Sequence, residues 1–248
     1  RRVDRGVLGE GAVRIGDGQG RITVGIAATT WLGSWLFGNV VGASLVAALG
    51  YDGADTRVPV WVTLVAALTL WIPILVALRL VGVRFGLGSW RADYGLSVRP
   101  IDLVGVPVGV LAQLVLVRLV YWPLEELWPH TFSSPRLEES ARDLYDSADG
   151  VWLVALVFVV VIGAPFVEEL LYRGLLQGAF VRRVNELIAV GVVAVWFALI
   201  HFRPVEYPGL LVIGLVLGAC ALVTRRLGLG IIAHASFGSG LPSSILEI

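Results

Sequence analysis

The sequence predicts an all-α, polytopic membrane helical bundle of about seven transmembrane helices, on three observations. Of its 248 residues, 57% are hydrophobic and 15% charged, with a mean hydropathy of +0.83; soluble domains run to about 45–50% apolar and about 25% charged. The apolar residues form continuous runs such as Val151 to Val161, whereas a transmembrane β-barrel alternates over segments of about ten residues. The nineteen basic residues, all arginine, are distributed unevenly between the loops.

A hydrocarbon core of about 30 Å takes about 20 apolar helical residues. That rule gives spans over 22–49, 58–82, 101–122, 150–181, 187–202, 208–224 and 229–247, the fifth short and the fourth interrupted by charge. Residues 1–21 form an N-terminal segment, 22–149 the N-terminal transmembrane helices with interfacial loops, and 150–248 a C-terminal unit. With the N-terminus in the cytoplasm, thirteen arginines fall inside (positions 1, 2, 5, 14, 21, 79, 84, 91, 99, 182, 183, 225 and 226). Only four fall outside: Arg57, Arg136, Arg142 and Arg203. Short cytoplasmic loops carry such an excess. Between the second and third spans, Phe85 to Pro100 mixes Trp90, Arg91, Tyr94 and Arg99, which suits either a cytoplasmic interface or a plain loop. Ser134 and Pro135 make an N-cap and first-turn pair for a short outer helix that Gly150 ends. Its Glu138, Glu139, Asp143, Asp146 and Asp149 form a solvated face, with a cation or partner site as the alternative. Gly38 and Gly42, Gly105 and Gly109, Gly174 and Gly178, and Gly214 and Gly218 are small-xxx-small pairs that permit close helix approach.

Several classes are excluded. Nineteen acidic residues balance the arginines to a formal net charge of zero, without the basic stripe that nucleic-acid binding needs. Cys220, the one cysteine, lies in an apolar run, which excludes disulfide frameworks and Cys-based metal sites. The chain has no methionine, so it is expected to start inside a longer protein. No internal repeat is apparent, which disfavours a transporter built from inverted repeats.

A charge within a spanning helix is a functional-site hypothesis by default, since inserting one costs roughly 2.5–3.5 kcal/mol. Arg118, near the end of the third span, can snorkel to the interface, and His130 in an outer loop reads as structural. The fourth span places Glu168, Glu169 and Arg173 deep in an apolar helix behind Pro165. Glu169 and Arg173 are four apart and can pair. Glu168 points about 100° away and lacks a local counter-charge, as a general base would. Pro165 is expected to loosen the helix just before the pair. His201, one turn after Phe197, and His234, near the start of the last span, complete a candidate site. Counted along the helices from the nearest arginines, Glu168 lies about 21 Å deep, His201 about 27 Å and His234 about 12 Å. Those depths do not coincide.

The order Glu168-Glu169-xxx-Arg173, then Phe197-xxx-His201, then His234, resembles the CPBP (ABI) family of intramembrane endopeptidases. This family includes the type II CAAX prenyl proteases and bacteriocin-processing or immunity proteins. The resemblance covers about residues 150 to 240, and Asp93-Tyr94-Gly95-Leu96 with Arg99-Pro100 looks like a segment that many bacterial members place before a span. It implies a glutamic intramembrane protease whose catalytic core is 150–248. Glu168 would activate water, His201 would position that water, Glu169 and Arg173 would hold the motif, and His234 would help to bind the oxyanion. No cofactor is required on this reading; the alternative is a divalent metal such as zinc on Glu168, His201 and His234. The family's last motif usually has Asn four residues after the histidine, where this chain has Gly238. Loss of one oxyanion donor typically costs about 10²–10³ in rate, unless Ser236, Ser239 or a freed backbone amide replaces it.

The leading expectation is therefore an intramembrane endopeptidase acting on a peptide or membrane-protein substrate in the bilayer. A catalytically weak or inactive interaction or immunity-type protein with a membrane-protein partner is the alternative. A proton-coupled transporter using Glu168, Glu169 and the histidines as a relay is the third reading. The arginine-only composition points to a multi-pass protein of a bacterial plasma membrane.

Overall fold

The structure, a computed structural model, describes residues 22–51, 58–132, 148 and 150–238. Thr23 opens the first helix by accepting from the Ile26 amide at 3.2 Å, which satisfies one donor orphaned in the first turn. Helix α1 is Val24–Ala48, α2 is Val60–Phe85 and the short α3 is Trp90–Tyr94. Pro100–Leu127 forms α4 and Gly150–Phe180 forms α5. They are followed by α6 (Glu186–Leu199), α7 (Tyr207–Thr224) and α8 (Gly228–Gly238). No strand occurs among the described residues.

The all-α membrane bundle expected from the sequence is therefore present, with two changes of detail. α1, α2, α4, α5 and α7 are long and apolar enough to cross a bilayer. α6 stops at Leu199 rather than at 202, and its 14 residues reach only about 21 Å. α8 is followed to Gly238; the rest of the span expected over 229–247 lies outside the described residues. So do residues 1–21 and almost all of the outer helix expected before Gly150.

α5 is the central helix. Every residue from Glu169 to Gln177 is buried, with α1, α2, α3, α6 and α7 packed against that stretch. Its winding is uneven: Val159–Gly163 and Glu169–Gln177 are π-helical, with hydrogen bonds to i−5 rather than i−4. The first of these wide turns directly precedes Pro165, which has no N–H to give to the ladder. The loosening expected before the glutamates thus takes the form of a change of winding.

Leu80, Val154 and Val223 on the outer surface are 63%, 70% and 80% exposed, as residues facing hydrocarbon should be. Lipid supplies no hydrophobic drive between helices, so close packing of small residues must hold them. A Cβ on Gly38 would lie 2.8 Å from the Leu70 Cα, and one on Gly42 2.7 Å from the Thr69 hydroxyl, so α1 and α2 meet there. A Cβ on Gly105 would lie 2.7 Å from the Leu229 carbonyl oxygen, and one on Gly109 would overlap the Ala233 carbonyl, which joins α4 to α8 backbone to backbone. A Cβ on Gly214 would lie 3.1 Å from the Ala194 Cα, so α7 and α6 meet there in the same way.

The segment around α3 is not a plain loop. Asp93 is fully buried and accepts from the amides of Leu87 at 2.7 Å and Ser89 at 2.8 Å. Tyr94 donates its hydroxyl to the Leu78 carbonyl at 2.6 Å. Gly95 then closes the helix in the left-handed region at φ 72°, where an L side chain would be strained.

The α4–α8 contact is open to test by substitution. Gly109→Val should destabilise the protein by about 1–3 kcal/mol, the usual cost of overpacking, seen as a lower unfolding midpoint in detergent. Gly33→Ala, at a position with nothing within 4 Å, should cause no loss.

Candidate active site

Glu169 and Arg173 share one face of α5 and pair at 3.0 Å with both side chains fully buried. Arg173 also donates to the Gly214 carbonyl at 3.0 Å, and its guanidinium carbon lies 4.8 Å from the centre of the Phe197 ring. The arginine thereby ties α5 to α7 and α6. The free oxygen of Glu169, Oε2, faces Gly230 of α8, where a Cβ would come within 2.8 Å.

Glu168 differs in every respect that matters for chemistry. Its side chain is 27% exposed, and its nearest charged group is His234 Nε2 at 3.7 Å, beyond hydrogen-bond length. The other nitrogen of the same ring, Nδ1, is 3.2 Å from Glu169 Oε1. His234 therefore stands between the two glutamates. A carboxylate oxygen paired with a guanidinium can only accept, so the contact assigns its proton to His234 Nδ1 and turns Nε2 toward Glu168.

His201 is placed differently. Its Nδ1 lies 2.7 Å from the Phe197 carbonyl, to which it donates, leaving Nε2 as the acceptor nitrogen. Its ring centre is 4.9 Å from that of Phe197, and the His234 ring centre is 5.9 Å from the same ring. Tyr172 meets Phe197 edge-on at 5.1 Å. Of the five residues singled out in the sequence, Glu168, Glu169, Arg173 and His234 form one connected cluster. His201 sits one aromatic ring away, with no hydrogen bond to Glu168 among the described residues. No three His, Cys, Asp or Glu side chains among the described residues are grouped as metal ligands. Glu168, His201 and His234 are therefore not gathered as one ligand set among the described residues.

The difference in depth between Glu168 and His234 counted from the sequence is removed by where α8 begins. The Leu227 amide donates to the Gly95 carbonyl at 3.0 Å, and the Gly228 amide to that of Ser97 at 3.2 Å. A Cβ on Gly174 would be 3.0 Å from that of Tyr94 and 3.5 Å from Leu227. The entry to α8 is thus held beside Gly174, eight residues or about 12 Å along α5 from Arg182. His234, seven residues further, then lies about 22 Å deep, level with Glu168 at about 21 Å.

Three contributors to the site were not singled out. Phe197 separates the two histidines and lies against Arg173, though the sequence offered only its spacing to His201. Gly230 gives Glu169 its space, and Gly228-Leu229-Gly230 ahead of His234 was its only visible sign. Gln177 donates to the Gly218 carbonyl at 2.9 Å, one turn beyond Arg173. Ser236, considered as a substitute oxyanion donor, gives its hydroxyl proton to the Ile232 carbonyl at 2.8 Å. Ser239 and Gly240 lie outside the described residues.

Residues 150–239 match the family model of the type II CAAX prenyl endopeptidases, Rce1-like. This region begins at the first residue of α5 and extends just past α8, so it contains all five candidate residues. The match agrees with the CPBP/CAAX protease resemblance and, with the apolar helices, supports a multi-pass membrane protein of the CAAX-protease type. No curated protein and no solved structure matches the chain significantly.

The two adjacent glutamates should behave oppositely when altered. Arg173→Ala leaves Glu169 buried without its guanidinium and should destabilise the Rce1-like region by about 3–5 kcal/mol. Glu168→Gln, at a partly exposed side chain with only the 3.7 Å contact, should change stability by less than about 0.5 kcal/mol. Thermal unfolding of the purified variants in detergent measures both.

Proposed function

We propose that the protein is an intramembrane endopeptidase that hydrolyses a peptide bond of a membrane-associated substrate, with Glu168 as the base that activates water. The observation that carries this reading is the split within the glutamate pair. Glu169 is locked to Arg173 and His234, while Glu168 is partly open and faces His234 Nε2 at 3.7 Å. An oxygen about 2.8 Å from each atom fits that gap with ordinary hydrogen-bond lengths. Glu168 would take a proton from such a water as its oxygen attacks the carbonyl carbon. It would then return the proton to the leaving amine.

His234 is suited to the charge that develops on the carbonyl oxygen. The Glu169 carboxylate at Nδ1 supports the imidazolium, from which Nε2–H can donate to the oxyanion; the buried carboxylate of a serine-protease triad supports its histidine in the same way. His201 would act from the far side of Phe197 by positioning the water or the peptide. The reaction so described routes no step through a metal. The arginine bias further supports an N-terminus on the cytoplasmic side.

A second reading, a binding or immunity-type protein on the same fold, is motivated by Gly238 in the position where the family usually has Asn. Purified wild type and Glu168→Gln, assayed on a library of peptides and membrane proteins, address the first reading. Wild type should cleave, and Glu168→Gln should lose about 10²–10⁴ in rate. If Glu168→Gln keeps full activity, or chelators abolish cleavage and zinc restores it, the mechanism is wrong. Gly238→Asn tests the second reading: a gain approaching about 10²–10³ identifies an enzyme short of one oxyanion donor. If neither wild type nor Gly238→Asn cleaves anything, the binding reading stands.

A further inference from the structure

We infer that Asp102 and Arg226, outside the catalytic cluster, are a positioning pair that sets the depth of α8 and so brings His234 to the two glutamates. The inference rests on the role of His234 proposed above. Asp102 is 1% exposed and lies in the first turn of α4, where its Oδ2 accepts from the Arg99 amide at 2.8 Å. The same carboxylate pairs with the Arg226 guanidinium, through Nη2 to Oδ1 and Nε to Oδ2. Arg226 lies in the turn between α7 and α8, two residues before the first residue of α8.

One carboxylate thus fixes the start of both helices that pack through Gly105 and Gly109. The turn itself is closed: Thr224 donates its hydroxyl to the carbonyls of Cys220 at 2.7 Å and Arg226 at 2.9 Å. Gly228 then lies against the Asp102 carboxylate so closely that a Cβ would overlap it. Two further points of contact lead up α8 to the site, Gly230 against Glu169 and Ala233 against Gly109.

α8 needs such an anchor. It has 11 residues, none of them Asp, Glu, Lys or Arg, so apart from the packing of its small residues its height is set at its entry, where the Asp102–Arg226 pair adds a side-chain hold to the Leu227 and Gly228 amides on Gly95 and Ser97. Each residue of register is worth about 1.5 Å, and a shift of about 1 Å can cost on the order of 10²-fold in rate. The 3.2 Å contact to Glu169 would not survive one.

The test uses the full chain in lipid nanodiscs with ¹⁵N-histidine. The chain has three histidines, so the His234 signal can be assigned with His130→Gln and His201→Gln. In wild type, His234 Nδ1 should give the signal of a protonated, hydrogen-bonded nitrogen. In folded Asp102→Asn and Arg226→Gln that signature should be lost, and kcat should fall by about 10²-fold with KM within about twofold, the pattern of a lost transition-state contact. Arg226→Lys, which keeps the charge, should recover at least about a tenth of the wild-type kcat.

An unchanged His234 signal in a folded variant overturns the proposal. So does a loss of activity that only follows the loss of folded protein. If Asp102→Asn does not fold, Arg226→Gln, which leaves the Asp102 cap on Arg99 intact, decides by the same two readouts. If wild type cleaves nothing, the endopeptidase reading fails by itself, and the His234 signal alone decides the positioning role.

Discussion

The structure is organised around the ion pair of Glu169 and Arg173. Two charges with no exposed surface in a helix surrounded by apolar neighbours are tolerated only if each is held by further polar contacts, because their mutual attraction rarely offsets the loss of water. Arg173 therefore reaches the Gly214 carbonyl on α7 and the Phe197 ring on α6, and Glu169 reaches His234 on α8. One pair on α5 thus recruits the three helices that follow it. Small residues accommodate it: Gly230 sits where a side chain would run into Glu169, and Gly214, whose carbonyl accepts from Arg173, where one would press α7 away from Ala194 of α6.

Much of this was legible in the sequence. The spans could be counted because the hydrocarbon core imposes a length, and the Glu169–Arg173 pair because a helix brings residues four apart together. The packing glycines were legible as spacing, though not which helix each would meet. The depth of His234 was not legible. Counting from Arg226 assumes that the arginine marks the membrane surface, but Arg226 is turned inward by Asp102 and its turn is held to Gly95 and Ser97. The mistake lies in treating an arginine as an interfacial anchor when its guanidinium has a buried partner. Asp102 is distant in sequence and stands at the very start of the span expected over 101–122, where an acid reads as an interfacial residue and nothing local names its partner.

The same reasoning explains why the role of Asp93 was not legible. A lone aspartate before a tyrosine reads as surface, yet its carboxylate is fully buried and accepts from the amides of Leu87 and Ser89. Buried backbone donors must be satisfied from somewhere. In a membrane chain, an acid just after a span is as well suited to that duty as to facing solvent.

The adjacency of Glu168 and Glu169 has a geometric cause. Carboxylates three or four apart would share a face, and both would compete for Arg173 or for the open side. Neighbouring positions differ by about 100°, so one can be buried against a guanidinium while the next is left partly exposed. The winding of α5 changes from α to π between these two residues. His234 exploits that divergence, because the two nitrogens of an imidazole lie on different edges of one ring and can each address a carboxylate. A lysine ammonium or an asparagine amide would have to address both carboxylates from a single nitrogen, whereas the ring offers two about 2 Å apart. The separation of a supporting acid from a working acid thus follows from helix geometry and ring chemistry, provided that α8 stands at the right height.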